Sequence, residues 1–357
     1  MTVGPNRLPD RPEEREAKRA LDGLPLAPDV LSDVLRTIRL SGAMLFLVEA
    51  SAPWRSHAPE TRAFVHHVMP HVQHLVSYHI VVQGQCWGGL AGEPLQPLSA
   101  GDALIVPHGD AYALASLPDV APSYSDADAV AFFRSMAAGE LPSLVTEGGA
   151  GTPRCHFICG FLGCDARPFN PILWALPRVI HMPHVTQPGD RLSHLMAYAL
   201  AELRDPGAGG RDVLLRLSEL MFVEVVRRHL SGAPAAPIGW LAALRDPLIA
   251  RVLARMHAEP ARPWTLGTLG EGTGASRSTL AERFAQLVGQ PPMHYLAGWR
   301  MQLATRLLTY PGVKVRAVAD AVGYASEAAF SRAFKKHAGL SPNVWRERAT
   351  AGSVSQR

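Results

Sequence analysis

Two groups of residues in this chain have types and spacings suited to chemistry. The first is rich in imidazole and thiol. His57, His66, His67, His71, His74 and His79 fall within 23 residues, Cys86 follows, and Cys155, His156, Cys159 and Cys164 fall within ten. Neutral imidazole and thiolate bind zinc, and an exposed thiolate is also open to oxidation. The spacing Cys-x3-Cys-x4-Cys is not that of a zinc ribbon, so packing cysteines and loop histidines are the competing reading. We take His79, Cys86, Cys159 and Cys164 as the candidate metal or redox set, with zinc as the candidate metal. On an extended strand Cys155 and Cys159 share a face and Cys164 takes the other.

The second group is basic and hydroxylic, and it occurs twice. "ASRSTLAERFAQLVGQPP" starts at Ala275, and "ASEAAFSRAFKKHAGLSP" starts at Ala325. Each copy reads as the second helix of a helix-turn-helix, capped by Ser276 or Ser326 and stopped by Gly289 or Gly339. Leu280, Phe284 and Leu287 point inward in one, and Phe330 and Phe334 in the other. Ser276, Arg277, Ser278, Thr279, Glu282 and Arg283 then mark the outer face of the first helix. Ser326, Glu327, Ala328, Ser331, Arg332, Lys335 and Lys336 mark that of the second. Such a helix fits the DNA major groove, where Arg pairs with guanine edges and Ser, Thr and Lys reach bases or phosphates.

The elements that must position these groups follow from composition. The chain has 357 residues, 47% of them hydrophobic and 18% charged, which suits two domains. Charge is uneven: residues 245–348 hold 15 Lys and Arg against 7 Asp and Glu, and the remainder is mildly acidic. A basic third on an acidic body points to a polyanion-binding module. We read 1–28 as a disordered lead-in, 29–185 as a β-rich barrel domain, and 186–230 as an amphipathic helical hairpin that packs or dimerises. Residues 231–244 are a linker, 245–348 an all-helical domain, and 349–357 a tail. The fold class is therefore α+β, in two domains. "HYLAGWRMQLATRLL", 294–308, predicts one rod between the two reading helices. No apolar run is long enough for a membrane span, and the N-terminus lacks a signal-peptide core. Four cysteines fit a reduced, cytoplasmic setting.

"SRSTLAERF", "GQPPMHYLAGWRMQLATRLL", "VADAVGYASEAAFSRAFKKHAGLSP" and the closing "WR" resemble the AraC/XylS family of bacterial transcription regulators. That resemblance implies two helix-turn-helix units on a linker helix, binding to double-stranded promoter DNA, and contact with RNA polymerase where the protein is an activator. "YHIVVQGQCWGG", "LSAGDALIVPHGDAYAL" and "CGFLGCDARPFNPILWALP" resemble the cupin-type effector domain of one branch. They imply a small β-barrel; we read it as sensing a small-molecule, metal or redox signal in a regulator that is not an enzyme, with the helical hairpin making a homodimer. The alternative is a cupin metalloenzyme fused to a DNA-binding domain. Against it, His79 stands alone in its strand, and Tyr112 follows "PHGDA" where a metal cupin carries His. One departure is that Gly267, Gly270 and Gly272 fall where the family has helix formers, which predicts a weak first helix in the first unit.

Overall fold

The computed structural model describes residues 29–37, 40–70, 72–149, 151–164, 169–185, 189–232, 239–310 and 312–354. They fall into two compact units. One holds residues 40–164 and 172–232. The other holds 239–354 together with 29–37 and 169–171.

The strands of the first unit, in chain order, are β1 (Leu40–Ser51), β2 (Arg55–Ala58), β3 (His74–Gln83), β4 (Gln85–Leu90), β5 (Gln96–Ser99), β6 (Ala103–Val106), β7 (Tyr112–Ala115), β8 (Leu144–Gly148), β9 (Arg154–Cys164) and β10 (Ile180–Met182). They form two sheets of order β10-β6-β3-β9-β1-β8 and β2-β7-β4-β5. β9 lies between β1 and β3, antiparallel to both, and is buried from Phe157 to Cys164. Strands that are apolar at successive positions, such as "ALIV" and "YALA", are covered on both faces. Gly160 shows how tightly β9 is used: a Cβ there would lie 2.1 Å from the Tyr78 ring. The Tyr78 hydroxyl donates to Ser218 Oγ at 3.0 Å.

Ser218 belongs to the helix Gly210–Gly232, which with Arg191–Arg204 makes the expected hairpin. Leu192, Met196, Ala199 and Leu203 of its apolar stripe are buried, as are Leu217, Met221 and Val226 opposite. Leu192, Met221, Phe222 and Val225 close on Val76, Tyr78 and Ile80 of β3, so this stripe serves packing onto the sheet. The helix Asp126–Ala138 covers another side. Ser125 and Asp128 form a capping box at its start, and Gly139 ends it in the left-handed conformation. "NPILWALPRVIHM" differs from the single terminal helix that the sequence suggests. Its helix stops at Ala175, before Pro177, and Ile180–Met182 extends the sheet beside β6.

The second unit is helical. Its rod is Pro292–Leu308, with Tyr295, Trp299, Leu303 and Leu307 buried at the expected spacing. Gly298, Met301, Gln302 and Thr305 are buried as well, so the rod is covered on further faces. Part of that cover is the helix Val30–Thr37 and the segment at Phe169. Gln302 Oε1 accepts from the Phe169 N–H at 3.1 Å, Gln302 Nε2 donates to the Thr37 carbonyl at 3.4 Å, and Arg306 donates to the Arg36 carbonyl at 2.8 Å. Asp33 approaches His257 at 3.7 Å, and the His257 ring stacks on Trp299. A Cβ on Gly298 would sit 2.5 Å from the Phe169 ring, so only glycine leaves that socket open. Residues 29–37 and 169–171, which the sequence reading placed in the barrel domain, thus find their packing partners on the rod.

Candidate functional site

Both reading helices are built as their caps dictate. Ser276 Oγ accepts from the Thr279 N–H at 3.1 Å, starting Arg277–Val288. Ser326 Oγ accepts from the Ala329 N–H at 3.2 Å, starting Glu327–Ala338. Gly289 and Gly339 end them in the left-handed conformation. Arg277, Ser278, Thr279 and Glu282 are exposed on the first helix. Glu327, Ala328, Arg332, Lys335 and Lys336 are exposed on the second, with Ser331 half-buried. Lys335 and Lys336 also lie in the last turn, where cations complement the helix dipole.

Arg283 is paired within the helical unit. Its guanidinium donates to Asp246 Oδ2 at 2.8 and 2.5 Å. Asp246 also caps Pro247–Ala258 by accepting from the Leu248 and Ile249 N–H groups. Burial works against ionising this carboxyl. The Ile249 N–H, the Arg283 guanidinium and the Leu248 N–H together outweigh burial and hold the carboxyl below the usual carboxylate range. Much of the basic surplus is likewise spent inside the unit. Arg251 donates to the Gly272 carbonyl, Arg255 to those of Leu269 and Glu271, and Arg300 to those of Pro260 and Arg262. The side chains of Arg277, Arg332, Lys335 and Lys336 make no ion pair or hydrogen bond among the described residues. With Arg283 paired off, Arg277 and Glu282 balance on the first helix, while Arg332, Lys335 and Lys336 outweigh Glu327 on the second.

The first helix of the first unit is short, Leu266–Gly270. Gly272 and Gly274 lie beyond it with φ of 68° and 75°, so they are turn glycines rather than helix-interior ones. Arg255 ties down the end of this helix, and a Thr265–Thr268 capping box holds its start.

Inside the first unit is a cavity of ≈ 330 Å³. Its walls come from β1, β2, β3, β7, β8 and β9, closed by the helix Asp126–Ala138. His79 is 1% exposed, its Nδ1 lies 3.1 Å from Cys159 Sγ, and its Nε2 has no partner. Tyr112 packs on His79 with ring centroids 4.5 Å apart. Burial drives the His79 imidazole down to about 3, so the ring is neutral, and burial pushes the Cys159 thiol well up. His57 stacks on Tyr124, its Nε2 is 3.1 Å from Asp126 Oδ1, and its Nδ1 is unpartnered.

The candidate metal or redox set does not assemble. Cys86, on β4 of the smaller sheet, hydrogen-bonds with Cys155; that contact and burial push its thiol far up. Cys164 is five residues beyond Cys159 on β9, which turns it to the opposite face. His79 and Cys159 meet, and among the described residues no three His, Cys, Asp or Glu are placed to hold a metal ion. Two donors fall short of the four that zinc requires, and protonated, buried thiols are the unreactive form. Of the clustered histidines, His71 lies outside the described residues, His66 and His67 are exposed, and His74 bonds to the Pro107 carbonyl.

Residues 29–231, more than half the chain, match the Cupin family, and 269–348 match a Helix-turn-helix domain. A putative AraC-like transcription regulator of Streptomyces lividans is 31% identical over 326 residues, covering 90% of this chain and 99% of that one. The chain belongs to the AraC-like transcription regulators. Another relative of this regulator is the HTH-type transcriptional regulator AlkR of Acinetobacter baylyi, 28% identical over 90% of this chain and all of that one. The solved DNA-binding domain of AdpA, in complex with a target DNA, is 32% identical, covering 30% of this chain and 95% of that one, with a TM-score of 0.28. The regulator binds DNA through its helical unit and carries a cupin domain. Among its described residues no helix is long and apolar enough to cross a membrane.

Sequence reasoning missed His57, Tyr124 and Glu147 as cavity residues. They are brought together by pairings between strands far apart in the chain, β2 with β7 and β8 with β1. The one available signal was "SHA" within a short strand run, which names no partner.

Proposed function

We propose that the barrel cavity is the sensing site of this regulator, and that occupation by a small molecule alters how the helical unit engages promoter DNA. The observation that carries this reading is the cavity between the sheets and the covering helix, with a fully buried, unpartnered imidazole nitrogen at His79. A buried polar atom without a partner is costly, and a ligand group that bonds to it removes that cost. On the DNA side, Arg277 and Arg332 read base edges while Lys335 and Lys336 contact phosphate, the two helices entering successive major-groove segments. The regulator works in the cytoplasm, where the promoter is. The exposed Tyr198 and Leu220 of the helical hairpin supply the surface through which two copies pair.

The test is transcription from the regulated promoter in the native host. Ala129 lines the cavity on its covering helix, and Ala129→Phe fills the space. The variant is expected to keep salt-sensitive binding of promoter DNA in vitro and to lose the response to the inducing condition. A filled cavity with an intact response would refute the sensing role.

A further inference from the structure

The chemistry of the cavity wall says what kind of molecule the sensing site takes. Among its described lining residues there is no Lys or Arg, while Glu147 contributes a carboxyl. Burial holds the Glu147 carboxyl above its ordinary range against the Ser56 hydroxyl. Its field reaches across the cavity, adding to the burial that keeps the Tyr124 hydroxyl and the Cys159 thiol protonated. An anion entering would meet the Glu147 carboxyl and no Lys or Arg side chain to balance its charge.

Hydrogen-bonding capacity points the same way. His57 Nε2 faces the Asp126 carboxylate; in the neutral ring that pairing puts the proton on Nε2 and leaves the unpartnered Nδ1 as an acceptor. The Glu147 carboxylate is an acceptor. His79 Nε2 adapts, because the Cys159 thiol can donate to its Nδ1 or accept from it. The deeper walls are rings: Phe46, Phe132 and Phe133 line the space with Tyr112 and Tyr124. Aromatic faces attract a cation most strongly where water is excluded. A head group that only donates, carries positive charge and rests on rings satisfies all of these features at once.

We propose, resting on the sensing role above, that the ligand is an organic amine, with its ammonium group at Glu147 and His57 and an apolar body against the phenylalanines. A cavity of ≈ 330 Å³ holds the equivalent of about ten waters at ~30 Å³ each, so the body is on the order of one aromatic ring with a short chain. Glu147 decides charge, the rings decide bulk, and His79 accepts or donates to whatever polar group reaches the deep end.

The probes are three molecules with one body: 3-phenylpropylamine, 3-phenylpropan-1-ol and 3-phenylpropanoate. Each is titrated by calorimetry and thermal shift into the full chain and into Glu147→Gln. The amine should bind at least tenfold more tightly than the alcohol, with the carboxylate undetected. Glu147→Gln should weaken the amine at least tenfold and leave the alcohol unchanged, a split that a merely structural role of Glu147 would not produce. Equal or tighter binding of the alcohol or the carboxylate overturns the proposal. So does failure of the amine to bind the folded protein at millimolar concentration, or an amine affinity indifferent to Glu147→Gln. The promoter response of Ala129→Phe separates the two ideas. If the filled cavity abolishes the response while the amine does not bind, sensing stands and the amine falls. If the response survives filling, sensing itself falls.

Discussion

Acid should destabilise the cupin unit through His79, by an amount that can be worked out. The ring is buried, and burial lowers its pKa from an ordinary 6.5 to about 3. The unfolded chain therefore binds a proton between these values that the folded chain refuses. The contribution of His79 to stability is present in full above pH 6.5 and is lost as pH falls toward 3. Each pH unit in that window costs about 1.4 kcal/mol, so at pH 5 the loss is about 2 kcal/mol. For a unit of this size that lowers the melting midpoint by about 4–8 °C. His74, His257 and His337 are shifted the same way by burial, so the wild-type curve alone is not diagnostic. The measurement is the difference between the full-length protein and His79→Gln in thermal unfolding from pH 7.5 to 4.5. The variant should start lower and lose less on acidification, so that the two curves converge. Parallel curves would mean that the ring protonates in place near its ordinary value, and the account of a buried imidazole with an unpartnered Nε2 would fail.

Other expectations come from the helical unit. Asp246→Ala removes both a cap and the Arg283 pair and should cost about 1–2 kcal/mol, whereas Arg283→Ala, half exposed, should cost under about 1 kcal/mol; both should leave DNA sequence preference intact, as thermal melts and binding-site selection would report. Lys336→Ala should weaken all DNA sequences alike and reduce the slope of log affinity against log salt by about 0.9, whereas Arg332→Ala should relax preference at particular base pairs by about 1–3 kcal/mol; uniform loss in the Arg variant would reverse the assignment. Gly270→Ala should stabilise the unit by about 0.4–1 kcal/mol, because the added methyl meets Leu280 at an ordinary 3.5 Å, and Gly298→Ala should destabilise it by about 1–3 kcal/mol by striking Phe169; thermal shifts of the same sign would contradict the packing described.

What could be read from sequence was what is local. Ser276 and Ser326 cap because a hydroxyl three residues before a free N–H suffices, and Gly289 and Gly339 stop the helices through their own backbone. The rod was legible because its apolar positions recur every turn. The cavity was not, because His57, His79, Glu147 and Cys159 sit on strands whose pairing depends on the whole sheet order. Arg283 carried no mark distinguishing it from Arg277; only Asp246, 37 residues away, separates the roles. Nor does "VLSDVLRT" announce that its Asp33 and Thr37 belong with His257 and Gln302, a partnership made by folding alone.

The rod Pro292–Leu308 is enclosed along most of its length. Inserting one residue into it would turn everything beyond by about 100° and advance it about 1.5 Å. On the proposed mode of DNA binding, the second helix would then face away from the groove that takes the first, while Gln302, Gly298 and Trp299 left their sockets. On that proposal the rod is a key cut to one phase of the double helix. Letters on the two exposed faces can be exchanged freely, and the chain can acquire a taste for new operators that way. The interval between the two words it reads is not open to revision.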